Sequence, residues 1–125
     1  VRLLLDTHVL LWWLTDDPKL NSILRDAIAD GGNEVFVSSV SVTEIAIKQS
    51  RGKLQAPREL LLLLSEAGFT ELPLTSAHGQ VLRDLPPHHR DPFDRMLIAQ
   101  AQVEGLEIAT ADADISSYDV DVLAN

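Results

Sequence analysis

The chain begins with a short, mostly apolar run, Val1–Leu5, that stops at Asp6. A run this short, apolar and without polar alternation predicts a strand buried on both faces. Similar runs recur at Val35-Phe36-Val37, Phe69–Leu72 and Ile108-Ala109, with a marginal one at Val120–Leu123. Helical patterns lie between them. Leu20, Ile23, Leu24, Ala27 and Ile28 follow the i, i+3, i+4, i+7, i+8 spacing of one helix face, and Gly31-Gly32 stops it. Val9, Leu10, Trp13 and Leu14 mark a helix directly after Asp6. Further helices are expected at Ser41–Arg51, Arg58–Ala67, Thr75–Arg83 and from Pro92 to Glu104. Glycines close three of them, at Gly52, Gly68 and Gly105. Strands alternating with helices predict an α/β fold, with a central, largely parallel four- or five-stranded sheet flanked by helices. No linker or repeat divides the chain, so residues 1–125 are read as a single domain.

Composition excludes several classes. The chain has no cysteine, which rules out a disulfide framework and any Cys-ligated zinc or iron–sulfur site. Its longest uninterrupted apolar run, Val9–Leu14, is far short of the ~18 residues of a membrane span. Asp6 and His8 break the apolar N-terminal stretch and no small-residue cleavage site follows, so no signal peptide is expected. The expectation is a cytoplasmic protein with no membrane partner. Ten basic residues stand against 19 acidic ones, a net charge of −9. Residues 91–125 hold −7 of that total, with Arg95 as their only base. A polyanion is attracted to basic surfaces, so the total charge argues against broad nucleic-acid capture.

Four acids stand at element junctions. Asp6 follows the first strand, and Glu44 lies in the first turn of the helix after the second. Asp94 opens the helix that starts at Pro92, and Asp112 follows the fourth strand by two residues. A parallel sheet gathers the carboxyl ends of its strands on one edge, where ligands bind. Each acid also has a purely local role available. Asp6 or Thr7 can cap a helix, Ser41-Val42-Thr43-Glu44 fits a capping box, and Asp91 fits a cap before Pro92. Asp112 and Asp114 fit a turn.

If the four converge, the chemistry narrows. Two carboxylates ~4 Å apart repel by about 1–4 kcal/mol, so a cluster must take up protons or hold a cation. Hard oxygen donors select Mg²⁺, with Mn²⁺ as a substitute. Metal-assisted phosphodiester hydrolysis then needs no side-chain nucleophile.

The stretches LLLDTHVLLWWL, SSVSVTEIAIKQSRGKL, HHRDPFDRMLIAQA and IATADADI occur in this order. Together they resemble a PIN-domain ribonuclease, and more narrowly a VapC-type toxin of a type II toxin–antitoxin pair. DPFDRMLIAQA is the most specific of them. The resemblance implies a three-layer PIN-like fold and a Mg²⁺-dependent endoribonuclease that inhibits translation by cutting tRNA or ribosomal RNA. It places Asp6, Glu44, Asp94 and Asp112 as catalytic, metal-binding acids. It also implies a cognate antitoxin, promoter DNA contacted only through that antitoxin, and a homodimer. Val1 stands where the family typically has Met.

Secondary roles fall to neighbours. Thr7, Thr110, Asp91 and Asp114 are candidates for supporting the acids. Lys48, Arg51, Lys53 and Arg95 are candidates for contacting RNA or antitoxin, the first three in a stretch that also reads as an ordinary solvated helix end. His88 and His89 are adjacent and do not share a helix face for chelation; they read as a loop near the substrate or, the reading preferred, as solvent-exposed. His8 is placed either on RNA or against Trp12. Two readings compete with the nuclease: a Mg²⁺-binding receiver-type signalling domain, or a PIN scaffold acting only as a binding partner. A receiver needs a second acid after strand one and a lysine after the last strand, and neither is present.

Overall fold

The computed structural model describes residues 1–125. Five strands form one sheet: β1 (Arg2–Leu5), β2 (Glu34–Ser38), β3 (Thr70–Leu72), β4 (Glu107–Thr110) and β5 (Val122–Ala124). Their order is β3-β2-β1-β4-β5 and every neighbouring pair is parallel. The helices are α1 (Thr7–Leu14), α2 (Ser22–Ala29), α3 (Ser39–Ser50), α4 (Leu60–Glu66), α5 (Ser76–Val81) and α6 (Pro92–Glu104). Short 3-10 turns follow at Leu82–Asp84 and Ala113–Ser117. This order also departs from the 2-1-3-4-5 sheet of receiver-type domains.

The apolar runs are continuous because both faces of the sheet are covered. On one face Leu4, Phe36, Leu72 and Ile108 pack with Leu97, Ile98 and Ala101 of α6. On the other, Leu5, Val35, Val37 and Ala109 pack with Val9 and Leu10 of α1, Leu24 and Ile28 of α2 and Ile45 of α3. The register sets Leu4 opposite both Phe36 and Ile108, so one row of side chains crosses the central strands. The result is three layers, helices on each side of a parallel sheet.

Several boundaries differ from those the sequence predicts. The largest shift is in α3, which starts at Ser39 with no loop after β2. Ser38 ends the strand and caps the helix, its hydroxyl accepting from Val40 N at 2.9 Å. The expected capping box at Ser41–Glu44 is therefore absent, and Glu44 sits in the second turn rather than the first. The apolar helix α4 is buried only at Leu60, while Leu61 and Leu62 are exposed. By contrast Asp91 caps α6 as expected, accepting from the amides of Phe93 and Asp94. Gly105 ends α6 in the left-handed conformation, with φ 67°.

Sheet order decides where a site can form. The chain runs outward through β1, β2 and β3, then returns to lay β4 on the other side of β1. The crevice at the carboxyl ends of β1 and β4 is thus the point where the winding reverses, the place where open α/β sheets bind ligands. Ile108 is fully buried in the centre of β4. Ile108→Ala is expected to lower unfolding free energy by about 2–5 kcal/mol, measured by urea denaturation.

Candidate active site

Asp6 leaves β1 while its backbone N–H still donates to Ala109 O of β4 at 3.0 Å. Its side chain caps α1, with Oδ1 accepting from Val9 N at 2.8 Å. The other oxygen, Oδ2, accepts from the Thr110 hydroxyl at the end of β4. Thr110 Oγ1 in turn accepts from Asp112 N at 2.9 Å. One hydroxyl therefore joins the ends of β1 and β4 and sets the turn that carries Asp112. Burial pushes the Asp6 carboxyl above its ordinary pKa, and the Asp112 charge adds to this, while the bonds from Thr110 and Val9 oppose it.

Glu44 enters from α3 and is 3% exposed. The Thr7 hydroxyl lies 2.7 Å from its Oε1 and shares a 3.0 Å hydrogen bond with Ser41. Lys48, one turn on, donates to Oε2 at 2.6 Å. That hydrogen bond raises the Lys48 pKa against partial burial, and the charges of Asp91 and Asp94 add to the rise. Lys48 is thus an ion-pair partner of a buried carboxylate, not part of a solvated helix end. Arg51 and Lys53 lie exposed beyond it, around the Gly52 turn.

Asp94 comes from the first turn of α6 and is raised to a pKa of about 7. Desolvation is the largest cause, followed by the charge of Asp91, with Asp6 and Glu44 adding to it and His89 opposing it. Acids from three different elements thus act on one carboxyl. Asp112, which accepts from Asp114 N at 2.9 Å, is lowered instead. Burial works against that shift, and the Asp114 amide and His89 outweigh it.

His89 overturns the sequence expectation of solvent exposure. Its Nε2 lies 2.7 Å from Asp112 Oδ2 and 3.1 Å from Asp94 Oδ2, with the side chain only 13% exposed. The ring belongs to the site. Adjacent histidines do not share a helix face, but that says nothing of a position two residues before the Asp91 cap. From there the Asp91 N–H donates to Nδ1 at 3.1 Å. His88 does point away, edge-on to Tyr118. His8 meets Trp12, their ring centroids 6.1 Å apart.

Arg95 likewise has a role other than the expected contact with RNA or antitoxin. Its guanidinium donates to the backbone carbonyls of Leu85, Pro86 and His89. Tyr118 Oη joins it, donating to Pro86 O and accepting from His89 N, each at 2.7 Å. Together they fasten the loop from Pro86 to Asp91. Asp114 is exposed, yet its ligand atom lies within 4.8 Å of those of His89 and Asp112.

The donor set suits a hard divalent cation. His89, Asp112 and Asp114 bring ligand atoms within 4.8 Å of one another, and the charges of Asp6 and Glu44 reach Asp94 close by. Oxygen-rich sets of this kind favour Mg²⁺ or Mn²⁺ over softer metals.

A family model for the PIN domain matches residues 3–121. The chain belongs to the PIN-domain family. Among its relatives is Ribonuclease VapC22 of Mycobacterium tuberculosis, 30% identical over 122 residues, spanning 92% of this chain and 90% of that protein. The fold also matches solved structures. VapBC2 from Rickettsia felis bound to a promoter DNA fragment superposes with a TM-score of 0.74 at 14% identity, covering 99% of this chain and 98% of that one. DNA-bound VapBC from Salmonella typhimurium gives 0.71 at 17% identity, with the same coverage. VapBC-5 from Mycobacterium tuberculosis gives 0.63 at 19%, again covering 99% and 98%.

The raised carboxyls make stability depend on pH. Asp94 binds a proton in the folded state up to about pH 7, whereas the unfolded chain releases it near 3.8. The folded protein therefore holds more protons between those values, and stability falls as pH rises through that window. His89, raised above 6.5 because the Asp112 bond and the nearby carboxylates outweigh its burial, acts in the same direction higher up. In EDTA the midpoint of thermal unfolding is expected to be higher at pH 5 than at pH 8. Asp94→Asn should flatten that slope and stabilise the pH 8 protein by on the order of 1 kcal/mol, the value reduced by solvent screening.

Proposed function

We propose that this chain is a divalent-metal-dependent endoribonuclease, the toxin of a toxin–antitoxin pair, acting in the cytoplasm. The observation that carries the reading is the anionic pocket at the winding reversal, where burial first, and then the charges of Asp91, Asp6 and Glu44, raise Asp94 to about 7. Its place in the fold, its acids in family order and the relationship to a named ribonuclease all support it.

In this reading Asp6, Glu44, Asp94 and Asp112 hold Mg²⁺, with Mn²⁺ as a substitute. Held there, such a cation would supply Lewis acidity toward water and charge neutralisation at the scissile phosphate. The rest of the work falls to protein groups. Thr110 orients Asp6 and sets the Asp112 turn through its single hydroxyl. Thr7 fixes one oxygen of Glu44. Lys48 balances the other and stands where it can meet an RNA phosphate. Asp91 holds the helix start that presents Asp94, and Asp114 fixes Asp112 through its amide. In this reading Arg51 and Lys53, exposed after α3, contact RNA or antitoxin.

The partners this reading calls for are an RNA substrate, tRNA or ribosomal RNA, whose cleavage stops translation, and a cognate antitoxin that covers the site. Promoter DNA is contacted through the antitoxin. A second copy of the chain completes a homodimer. No helix is long and apolar enough to cross a membrane.

Asp94 tests the reading most cleanly, because its carboxylate serves no helix cap and bonds only to His89. Incubation of total cellular RNA with the protein and Mg²⁺ is expected to give discrete cuts that EDTA abolishes. Asp94→Asn should reduce the rate by at least about 100-fold while remaining folded by circular dichroism. Undiminished Mg²⁺-dependent cleavage by the folded variant would overturn the assignment.

A further inference from the structure

His89 is the one side chain that touches two of the site's carboxylates, and they come from different elements. Asp94 is on the first turn of α6, and Asp112 is in the turn after β4. The ring reaches Oδ2 of both through a single nitrogen, at 3.1 and 2.7 Å. Both carboxylates are acceptors, so Nε2 carries the proton; it hydrogen-bonds Asp112 Oδ2, and Asp94 Oδ2 lies 3.1 Å from the same nitrogen. The tautomer is fixed from behind, where Nδ1 accepts from the Asp91 amide at 3.1 Å.

The residue is also anchored through its backbone. His89 N donates to Tyr118 Oη at 2.7 Å, and His89 O accepts from Arg95 Nη1 at 3.2 Å. Arg95 and Tyr118 bind Pro86 O as well, so the loop is tied on both sides of the ring. A side chain that simply filled an anionic gap would need none of this. Anchoring at the ring, the amide and the carbonyl describes a fixed strut.

Resting on the metal-dependent reading above, we propose that His89 is a positioning residue for the divalent cation. Its Nε2–H draws the Asp94 and Asp112 carboxylates into one orientation, so that their remaining lone pairs converge on a single ion. The Asp91 amide facing Nδ1 keeps that nitrogen an acceptor and leaves Nε2 as the donor toward the acids. The Arg95–Tyr118 clamp then has a function at the site although neither residue touches the acids. Hydrogen bonds of this kind, made to the ligands of a metal, govern affinity as well as geometry.

The test is direct Mn²⁺ binding to the full chain, followed by the loss of the free-ion electron paramagnetic resonance signal at pH 7.5. It compares the wild-type protein with His89→Ala and His89→Gln. The glutamine amide places two N–H donors near the position of Nε2. His89→Ala is expected to weaken Mn²⁺ binding by about tenfold, and His89→Gln to stay within about threefold of wild type. In the Mg²⁺-loaded wild type, the nitrogen spectrum of the ring should show Nδ1 unprotonated and Nε2 protonated. Thermal unfolding in EDTA checks that both variants fold.

Unchanged or tighter Mn²⁺ binding by His89→Ala would overturn the proposal, because the ring would then be a bystander or an obstruction. Equal loss in both variants would overturn it too, pointing to the ring as a direct ligand or a loop support. If the wild type cleaves RNA with Mg²⁺ and binds Mn²⁺ while His89→Ala matches it, only this inference fails. Absence of Mn²⁺ binding and of cleavage in the wild type would remove the functional reading along with it.

Discussion

Mutual repulsion among carboxylates is the constraint around which this molecule is arranged. Asp6, Glu44, Asp94 and Asp112 come from four separate elements, and the sheet order brings them to one edge. Nothing in their own chemistry favours the approach. Each is secured by a different neighbour: Asp6 by Thr110 and the Val9 amide, Glu44 by Thr7 and Lys48, and Asp112 by the Asp114 amide and His89. Asp94 has only His89, and it is raised to about 7. Burial is the largest cause of that rise, and the charges of Asp91, Asp6 and Glu44 add to it.

The large apolar surfaces serve this arrangement. Covering both faces of the sheet fixes β1 and β4 side by side, and the backbone bond from Asp6 to Ala109 continues their pairing one residue past the strand. The acids are thereby attached to the most rigid part of the fold rather than to free loops. The Pro86–Asp91 segment and the turn carrying Asp112 reach the site as irregular stretches, and Arg95 with Tyr118 tethers the first to α6 and to the second.

Much of this was legible in the sequence, and the exceptions have physical causes. Continuous apolar runs such as Val35–Val37 mark strands covered on both faces, and Pro92 with Gly105 brackets α6. The four acids follow from their places at element ends. The start of α3 was misread because Ser38, Ser39 and Ser41 are all plausible caps, and only the packing of Val40 and Ile45 decides among them. His89 escaped because its partners, Asp94 and Asp112, are brought to it by tertiary folding, and no local periodicity records that. Arg95 escaped for the opposite reason. A lone base in an acidic segment suggests an outward contact, whereas its actual partners are carbonyls, which leave no charge signature in the sequence.

The absence of a loop between β2 and α3 has a consequence for how this chain can change over evolutionary time. Ser38 is at once the last residue of a central strand and the cap of the helix bearing Glu44. One residue inserted there would rotate every α3 side chain by about 100° relative to the sheet, turning Glu44 away from Thr7 and toward a neighbouring layer. The irregular stretch from Gln55 to Arg58 carries no such constraint. Variation in length is therefore expected to collect after α3 and to be barred before it. The β2–α3 junction acts as a ruler for the site, and any functional descendant of this chain must conserve its length even where its residues differ.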